Sequence, residues 1–330
     1  MNTIAIDPRK VPSVSLSNGN QVPCVGLGTF GSDHISPEKV AETVELAIRN
    51  GYRHIDCAAV YQNEKEIGVV LEKLIQEGVV TRDELWITSK VWNDMHDNVQ
   101  EACRQSLHDL RLEYLDLYLV HWPFPNYHAP GCDGDSRNPQ SKPFCAKRFM
   151  NTWRQMELLV EKGLVRNIGT SNMTIKKFDA TLNHMQIRPV VNEMEIHPCF
   201  QQEELFKYLI SNNIQPIGFC PIGSPQRPER DKTPDDAIDT EHPIIIEIAK
   251  KHNVHPAVIC VKWAIQRGQI TIPFSTNPRN FLANLEASFA FELNNDEMEI
   301  IKTVECNSRL IKGQVFLWEG AQSWEDLWDY

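Results

Sequence analysis

Apolar positions along this chain switch repeatedly between two spacings. From Ser36 onward Val40, Val44, Ala47 and Ile48 recur at three- and four-residue intervals, the period of a helix with one buried face. Ser36-Pro37-Glu38 supplies an N-cap, a first-turn proline and an acid beside the helix's positive end, and Gly51 supplies the stop. The next run, His54 to Ala58, is short and reads as a strand. The exchange then repeats, with helices predicted over Glu66–Glu77, Asn98–Leu110, Phe149–Lys162, Ile175–Asn183, Gln202–Ser211 and His255–Arg267. Between them lie strands over Leu85–Ser89, Leu115–Val120, Asn167–Thr170, Val190–Met194, Pro216–Phe219 and Ile270–Ile272. Cys24–Leu27 makes an eighth strand at the start, preceded by a hairpin around Asn18-Gly19.

Eight such units without a linker-like break predict an α/β fold, a single (β/α)8 TIM barrel spanning residues 1–330. The N-terminal β-hairpin would occupy about 11–24 and a C-terminal loop about 307–330. Residues 123–148 and 223–241, rich in Pro, Gly and charge, each follow a strand, so these long loops belong on the C-terminal face where such barrels build their sites. The composition of 223–241 also permits a disordered linker.

One motif invites a different reading. Gly26-Leu27-Gly28-Thr29-Phe30-Gly31 spells G-x-G-x-x-G, but a dinucleotide-binding turn needs a helix opening at the third glycine. Here Ser32 to Ile35 intervene before the next helix start. The Rossmann reading is therefore disfavoured.

A net charge of −11 argues against nucleic acid or an anionic membrane as partner, since both are held through Lys and Arg. Nine cysteines without a C-x-x-C pair, most inside apolar patterns, predict reduced and buried thiols. The N-terminus lacks a signal-peptide core and no apolar run is long enough to span a bilayer, so a cytoplasmic setting is expected.

Barrel geometry brings strand ends together. Asp56 with Tyr61 five residues on, Lys90 and His121 stand at or just past three successive strand ends. A phenol beside an ammonium should ionise more readily, Asp56 would hold Lys90 charged, and His121 could bond a substrate oxygen. That set suits protonation of an alkoxide as it forms, the demand of carbonyl reduction by hydride. Each residue also has a structural alternative: an ion pair under the rim, a packing tyrosine, a satisfied strand-end histidine. A metal site is not expected, because no H-x-H or H-E-x-x-H occurs and His252 and His255 lie away from the mouth.

Gly51-Tyr52-Arg53-His54-Ile55-Asp56-Cys57-Ala58, Tyr61-Gln62-Asn63-Glu64, Asp116-Leu117-Tyr118-Leu119-Val120-His121-Trp122-Pro123 and Ile168-Gly169-Thr170-Ser171-Asn172 closely resemble the aldo-keto reductase superfamily. The resemblance runs from about Val14 to Glu305, in family order and spacing. It implies that Tyr61 is the general acid, tuned by Lys90 and Asp56, with His121 orienting the carbonyl. It implies NADP(H) as cofactor, lying across the mouth with Ser171 and Asn172 on the nicotinamide carboxamide and Ile222 and Ser224 in the segment folding over the pyrophosphate. Gly28, Thr29 and Phe30 become pocket wall rather than phosphate loop.

Three departures from the family pattern bear on function. Phe219 replaces the tyrosine that stacks under the nicotinamide, which keeps an aromatic face. Glu193 replaces a glutamine, and a carboxylate there would favour the cationic, oxidised cofactor. Pro273-Phe274-Ser275 and Asn280 lack the Lys and Arg that grip a 2′-phosphate, although Asn277 and Arg279 are nearby and Asn284 matches an adenine contact, so NAD(H) or dual use is open.

On the substrate side Phe30, Trp92, Trp122 and Trp318 would line an aromatic wall, with Phe316 to Trp324 from the tail or, alternatively, that tail packed under the barrel. Trp92-Asn93 is similar to xylose reductases, which suggests a small sugar or hydroxylated carbonyl. Rival readings are a cofactor-sensing regulatory subunit, an alcohol dehydrogenase working in the reverse direction, and a barrel lyase or hydrolase using Asp56 and His121 without nicotinamide. Oligomeric state leaves no signature in the sequence.

Overall fold

The computed structural model describes residues 5–32, 34–128, 132 and 137–330. Residues 1–4 and 33 and parts of the 123–148 insertion, 129–131 and 133–136, lie outside the described residues. In chain order the strands and helices are β1 (Ser13–Ser15), β2 (Gln21–Pro23), β3 (Leu27–Gly28), α1 (Pro37–Arg49), β4 (His54–Asp56), α2 (Glu64–Gln76), β5 (Trp86–Val91) and α3 (Val99–Leu110). They continue as β6 (Leu117–Val120), α4 (Ala146–Glu161), β7 (Ile168–Ser171), α5 (Ile175–Thr181), β8 (Val191–Glu195), α6 (Glu203–Ser211) and β9 (Gln215–Phe219). The chain ends with α7 (Pro243–His252), α8 (Pro256–Gln266), β10 (Ile270–Thr271), α9 (Pro278–Glu286) and α10 (Asn295–Lys302).

Strands β3 to β10 pair in parallel in simple sequence order. The first and last then meet: Gly26 N donates to Thr271 O at 2.9 Å, Thr271 N to Cys24 O at 3.0 Å and Gly28 N to Pro273 O at 3.1 Å. The sheet closes into the (β/α)8 barrel that the alternation predicts. Close approach at this seam accounts for the glycines of the G-x-G-x-x-G spelling. A Cβ on Gly26 would sit 2.8 Å from the His54 ring, and one on Gly28 2.9 Å from Ile272 O.

The core has two layers. Inward-facing Trp86, Leu117, Leu119, Val191, Ile217, Ile270 and Ile272 fill the barrel, while outward-facing Ile55, Ile87, Val91, Tyr118, Val120 and Ile168 meet the apolar stripes of the helices. In α1 that stripe is Val40, Val44, Ala47 and Ile48, the valines and the isoleucine each worth about 1.5–3 kcal/mol on burial, with Ser36 capping the Lys39 amide and Pro37 in the first turn as its sequence predicts. The β1–β2 hairpin plugs the bottom, inserting Leu16 and Val22 into the inner layer. Its turn is longer than Asn18-Gly19 alone: Leu16 pairs with Asn20 around three residues, with Gly19 at φ 88°.

Three helices escape the periodicity reading, α7, α9 and α10. The disordered-linker alternative for 223–241 is overturned. Gly223 packs on Asp239, Arg227 pairs with Asp236, Lys312 Nζ reaches Asp236 Oδ1 at 3.0 Å, and Gln314 Nε2 donates to Arg230 O at 2.6 Å. This loop and the C-terminal segment therefore hold each other.

Candidate active site

Period-two alternation decides which residues reach the mouth. In β5 Ile87, Ser89 and Val91 face the helices, whereas Trp86, Thr88 and Lys90 face inward, and β5 runs two residues further than the sequence suggests, so Lys90 stands within the strand. Asp56 and Ser171 hold inward places at the ends of β4 and β7, Glu193 an inward place midway along β8, and His121 follows β6.

Lys90 is fully buried, and its Nζ donates to Asp56 Oδ1, to Cys57 O at 3.1 Å, and lies 3.4 Å from Glu193 Oε1. Burial alone would discharge an ammonium, but Asp56 and Glu193 outweigh it and hold Lys90 well above its ordinary range. The outer face of β5 is anchored by Glu64, whose carboxylate accepts from Ser89 of β5 and, at 2.8 Å, from Ser106 of α3. Glu64 escapes the motif reading, although an acid at i, i+3, i+4, i+7 spacing with Ile67, Gly68 and Leu71 lies on a buried stripe.

Tyr61 follows β4 in a single helical turn, its ring 5.3 Å from Lys90 Nζ, 5.1 Å from the Phe30 ring and 5.8 Å from that of His121. The expectation that Lys90 makes this phenol readily ionisable is corrected here. Burial pushes the hydroxyl up most strongly; Lys90 pulls down, but Asp56 and Glu193 push up again, and the balance lies well above the usual tyrosine value. Tyr61 therefore keeps its proton throughout the neutral range. His121 is held neutral by burial and by Lys90, with its Nδ1 unpartnered and Trp92 edge-on at 5.1 Å.

Across the mouth Asn172 sits in the left-handed region at φ 59°, donating from Nδ2 to His121 O at 3.0 Å and to Ser171 Oγ at 3.2 Å. Asn172 Oδ1, Glu193 Oε2 and Asp56 Oδ2 are buried without partners. Leaving so many polar atoms unpaired in one pocket is unfavourable unless a ligand completes them, and an amide-bearing ring offers both donors and an acceptor. Thr29 Oγ1 donates to Asp56 O at 2.7 Å, and Gly28 lies beside it in the wall. Phe219 closes β9 half-buried, and Ile222 and Ser224 lie in the turn beyond it, Ser224 at φ 33°. Ser275, Asn280 and Asn284 lie before and along α9: Ser275 is half-buried, Asn280 exposed, Asn284 buried. Asn277 is spent as the α9 N-cap, accepting from the Arg279 amide at 3.0 Å, so Arg279 is the exposed cation there.

The aromatic wall divides. Phe30, 37% exposed, lies beside Tyr61, and Trp92, half-buried, lies beside His121. Trp122 is buried among Phe316, at 4.6 Å, Phe124 and Trp328, and Trp318 is a partly buried member of the same cluster, so these two act chiefly in seating the tail. The tail covers the mouth side rather than the barrel floor. Asn93 is fully buried and donates from Nδ2 to Asn126 O at 2.6 Å, which pins a loop and leaves its Oδ1 without a partner.

A second charged cluster escapes sequence reasoning. His197 lies between Glu195 Oε1 at 3.1 Å and Asp239 Oδ2 at 2.8 Å, the latter contact off the hydrogen-bonding direction, with all three fully buried. Glu195 also accepts from the amides of Leu310 at 2.7 Å and Ile311 at 2.8 Å, and Asp239 from that of Cys199 at 2.8 Å. Burial opposes charge on His197, but Asp239 and then Glu195 push it up to about 9. Its sequence signal was the polar alternation Glu193, Glu195, His197 along a buried strand end.

This mouth, with a buried lysine–carboxylate pair beside a tyrosine and a neutral histidine on a parallel barrel, defines a class of oxidoreductase, and residues 24–305 match the Aldo/keto reductase family. The chain belongs to that family. It is 40% identical over 318 residues to aldo-keto reductase family 1 member A1-A of Danio rerio, covering 95% of both chains. It is equally 40% identical to an aldo/keto reductase of Synechocystis, again over 95% of each, and 38% identical to the human family 1 member A1 over 90% of each. A Bombyx mori aldo-keto reductase solved in complex with NADP superposes with a TM-score of 0.80 at 34% identity, over 93% of this chain and 96% of that one.

Proposed function

We propose that residues 1–330 form one catalytic unit that reduces an aldehyde or ketone to its alcohol with NADP(H), Tyr61 supplying the proton. The observation that carries the reading is the convergence of Tyr61, Lys90, Asp56 and His121 on one buried corner of the mouth. The nicotinamide, when bound, supplies the hydride. Asn172 Oδ1, Ser171 and Glu193 are the groups to hold its carboxamide, Phe219 to stack on the ring, Ile222 and Ser224 to cover the pyrophosphate, and Ser275, Arg279 and Asn284 to take the adenosine end.

His121, neutral, can donate a hydrogen bond to the substrate oxygen without adding charge. Tyr61 holds its proton until charge develops on that oxygen, whose alkoxide is a stronger base than any phenolate, and releases it there. Lys90, pinned by Asp56, stabilises the phenolate left behind. The exposed face of Phe30 and the half-buried Trp92 favour a carbonyl carried on an apolar or aromatic body. The complete Tyr61–Lys90–Asp56–His121 set supports catalysis over a purely sensing role. Nine free cysteines suit a reducing compartment, and we place the enzyme in the cytosol, with no helix among the described residues able to cross a membrane.

The test is a carbonyl panel run with NADPH and with NADH in wild type and Tyr61→Phe. NADPH-dependent turnover should fall on the order of 10²- to 10⁴-fold in the variant while nucleotide quenching of tryptophan fluorescence persists. Wild-type turnover in Tyr61→Phe overturns the assignment.

A further inference from the structure

Two buried carboxyl groups, Asp56 and Glu193, face one buried ammonium, that of Lys90. Glu193 is 2% exposed, its Oε1 lies 3.4 Å from Lys90 Nζ, and Asp56 makes the shorter contact to the same nitrogen. The second oxygen of each carboxyl has no hydrogen-bond partner. The packing elements add no further compensating cation: β4 brings Asp56 and a neutral His54, the following turn brings Tyr61, β5 brings Lys90, and neutral His121 follows β6. On either side of Glu193 the register neighbours are Ser171 in β7 and Ile217 in β9, neither of which titrates here. Two anions against one cation leave one negative charge uncompensated, which such an interior resolves by retaining a proton.

We propose that Glu193 holds that proton in neutral solution and, by releasing it in mildly alkaline solution, switches the site from indifference to preference for the oxidised nicotinamide. The proposal rests on the cofactor reading above. Asp56 keeps the close lysine contact, so Glu193 is the member that carries the proton, and its carboxyl is pushed up to about 8, first by burial and then by Asp56. As a neutral acid Glu193 presents an O–H and a C=O, much as the family's glutamine presents an amide. On this proposal the carboxylate beside the ring, expected from the sequence as a standing charge, develops as pH rises through about 8. Once ionised, Glu193 attracts the cationic oxidised ring and not the neutral reduced one. By linkage, an oxidised cofactor that binds tenfold tighter to the ionised site must lower the Glu193 titration midpoint by one pH unit.

The experiment titrates NADP⁺ and NADPH against intrinsic tryptophan fluorescence from pH 6 to pH 10, in wild type and Glu193→Gln. The ratio of the two affinities cancels titration of the 2′-phosphate common to both. In wild type the ratio should move about tenfold toward NADP⁺ as pH rises past 8, and in Glu193→Gln it should stay flat. A flat wild-type ratio, or the same slope in the variant, overturns the proposal; no quenching by either nucleotide overturns the cofactor reading itself. If Glu193→Gln does not fold, carboxyl-labelled glutamate NMR on wild type decides. One glutamate titrating near 8, with its midpoint lowered by NADP⁺, supports the proposal, and none doing so overturns it.

Discussion

Two residues apart on β8, Glu193 and Glu195 are both buried carboxyls paired with a cation, yet their protonation runs in opposite directions. Glu195 meets burial with His197, Arg309 and the amide of Leu310, and the balance holds it below the usual carboxylate range. Glu193 shares Lys90 with Asp56, keeps one oxygen unpartnered, and is pushed up to about 8. The charge motif is the same, a cation between two acids; what differs is whether backbone amides brace the acids. Backbone amides from Leu310, Ile311 and Cys199 donate to the acids of the His197 cluster, so it clasps the 223–241 loop and the C-terminal segment to the barrel. In the Lys90 cluster the second oxygen of Asp56 and that of Glu193 have no partner among the described residues. Buried acids braced by backbone amides hold structure, and buried acids without them await a ligand or a proton.

The harshest test of that contrast removes the shared cation. Lys90→Met strands Asp56 and Glu193 against each other in the interior, and should cost about 3–5 kcal/mol in urea unfolding as well as turnover on the order of 10²-fold or more. His197→Gln should cost a comparable about 3–5 kcal/mol but act through the clasp, raising KM for the cofactor more than it lowers kcat. It also removes a pH signature. His197 is raised from 6.5 to about 9, so its contribution is complete below 6.5 and disappears as pH climbs through about 9. Wild-type stability should fall over that window, and the variant should lack the step.

Next in size comes the direct pair. Glu195→Gln weakens hydrogen bonds to a charged acceptor and should cost about 1.5–3 kcal/mol at pH 7. Glu193→Gln should be close to neutral at low pH. Because the native Glu193 midpoint is raised from 4.5 to about 8, wild type binds the extra proton in that range and loses stability as pH rises through it. Glu193→Gln should therefore gain on wild type between these values and level off above them. Equal costs for the two substitutions at pH 7, by chemical denaturation, would dissolve the contrast.

How much of this was legible in the sequence follows from how local each signal is. The barrel could be read because alternation recurs eight times, and Asp56, Lys90 and His121 because strand ends in such a barrel must converge. The α9 and α10 helices were missed although Asn277-Pro278 and the Asn294–Glu297 capping box announce them. The α7 helix was hidden by Ile244-Ile245-Ile246, a β-branched run that favours a strand until tertiary packing overrides it. The His197 clasp joins β8 to Leu310 across 115 positions, and the Trp122–Phe316 ring contact joins segments still further apart. Neither has a local pattern. The Tyr61 hydroxyl follows the same logic: the ammonium is visible in the sequence, but the depth of burial and the closeness of the second acid are not.

The mildest prediction concerns the outer edge of the clasp, where the contacts are redundant. Lys312 Nζ touches Asp236 at 3.0 Å, but Asp236 also accepts from Arg227 and from the Thr233 amide at 2.6 Å. Removing Lys312 thus orphans no buried charge, and Lys312→Ala should cost at most about 1 kcal/mol in global stability. The same contact ties the C-terminal segment to the loop containing Ser224, the proposed cover over the pyrophosphate. Loosening that tie should speed cofactor release in stopped-flow displacement by a few-fold while leaving the Tyr61 proton-transfer step, read by the solvent isotope effect on a single turnover, unchanged. A change in the isotope effect instead of the release rate would mean that the clasp reaches the chemistry directly, and the division of labour between the two clusters would not stand.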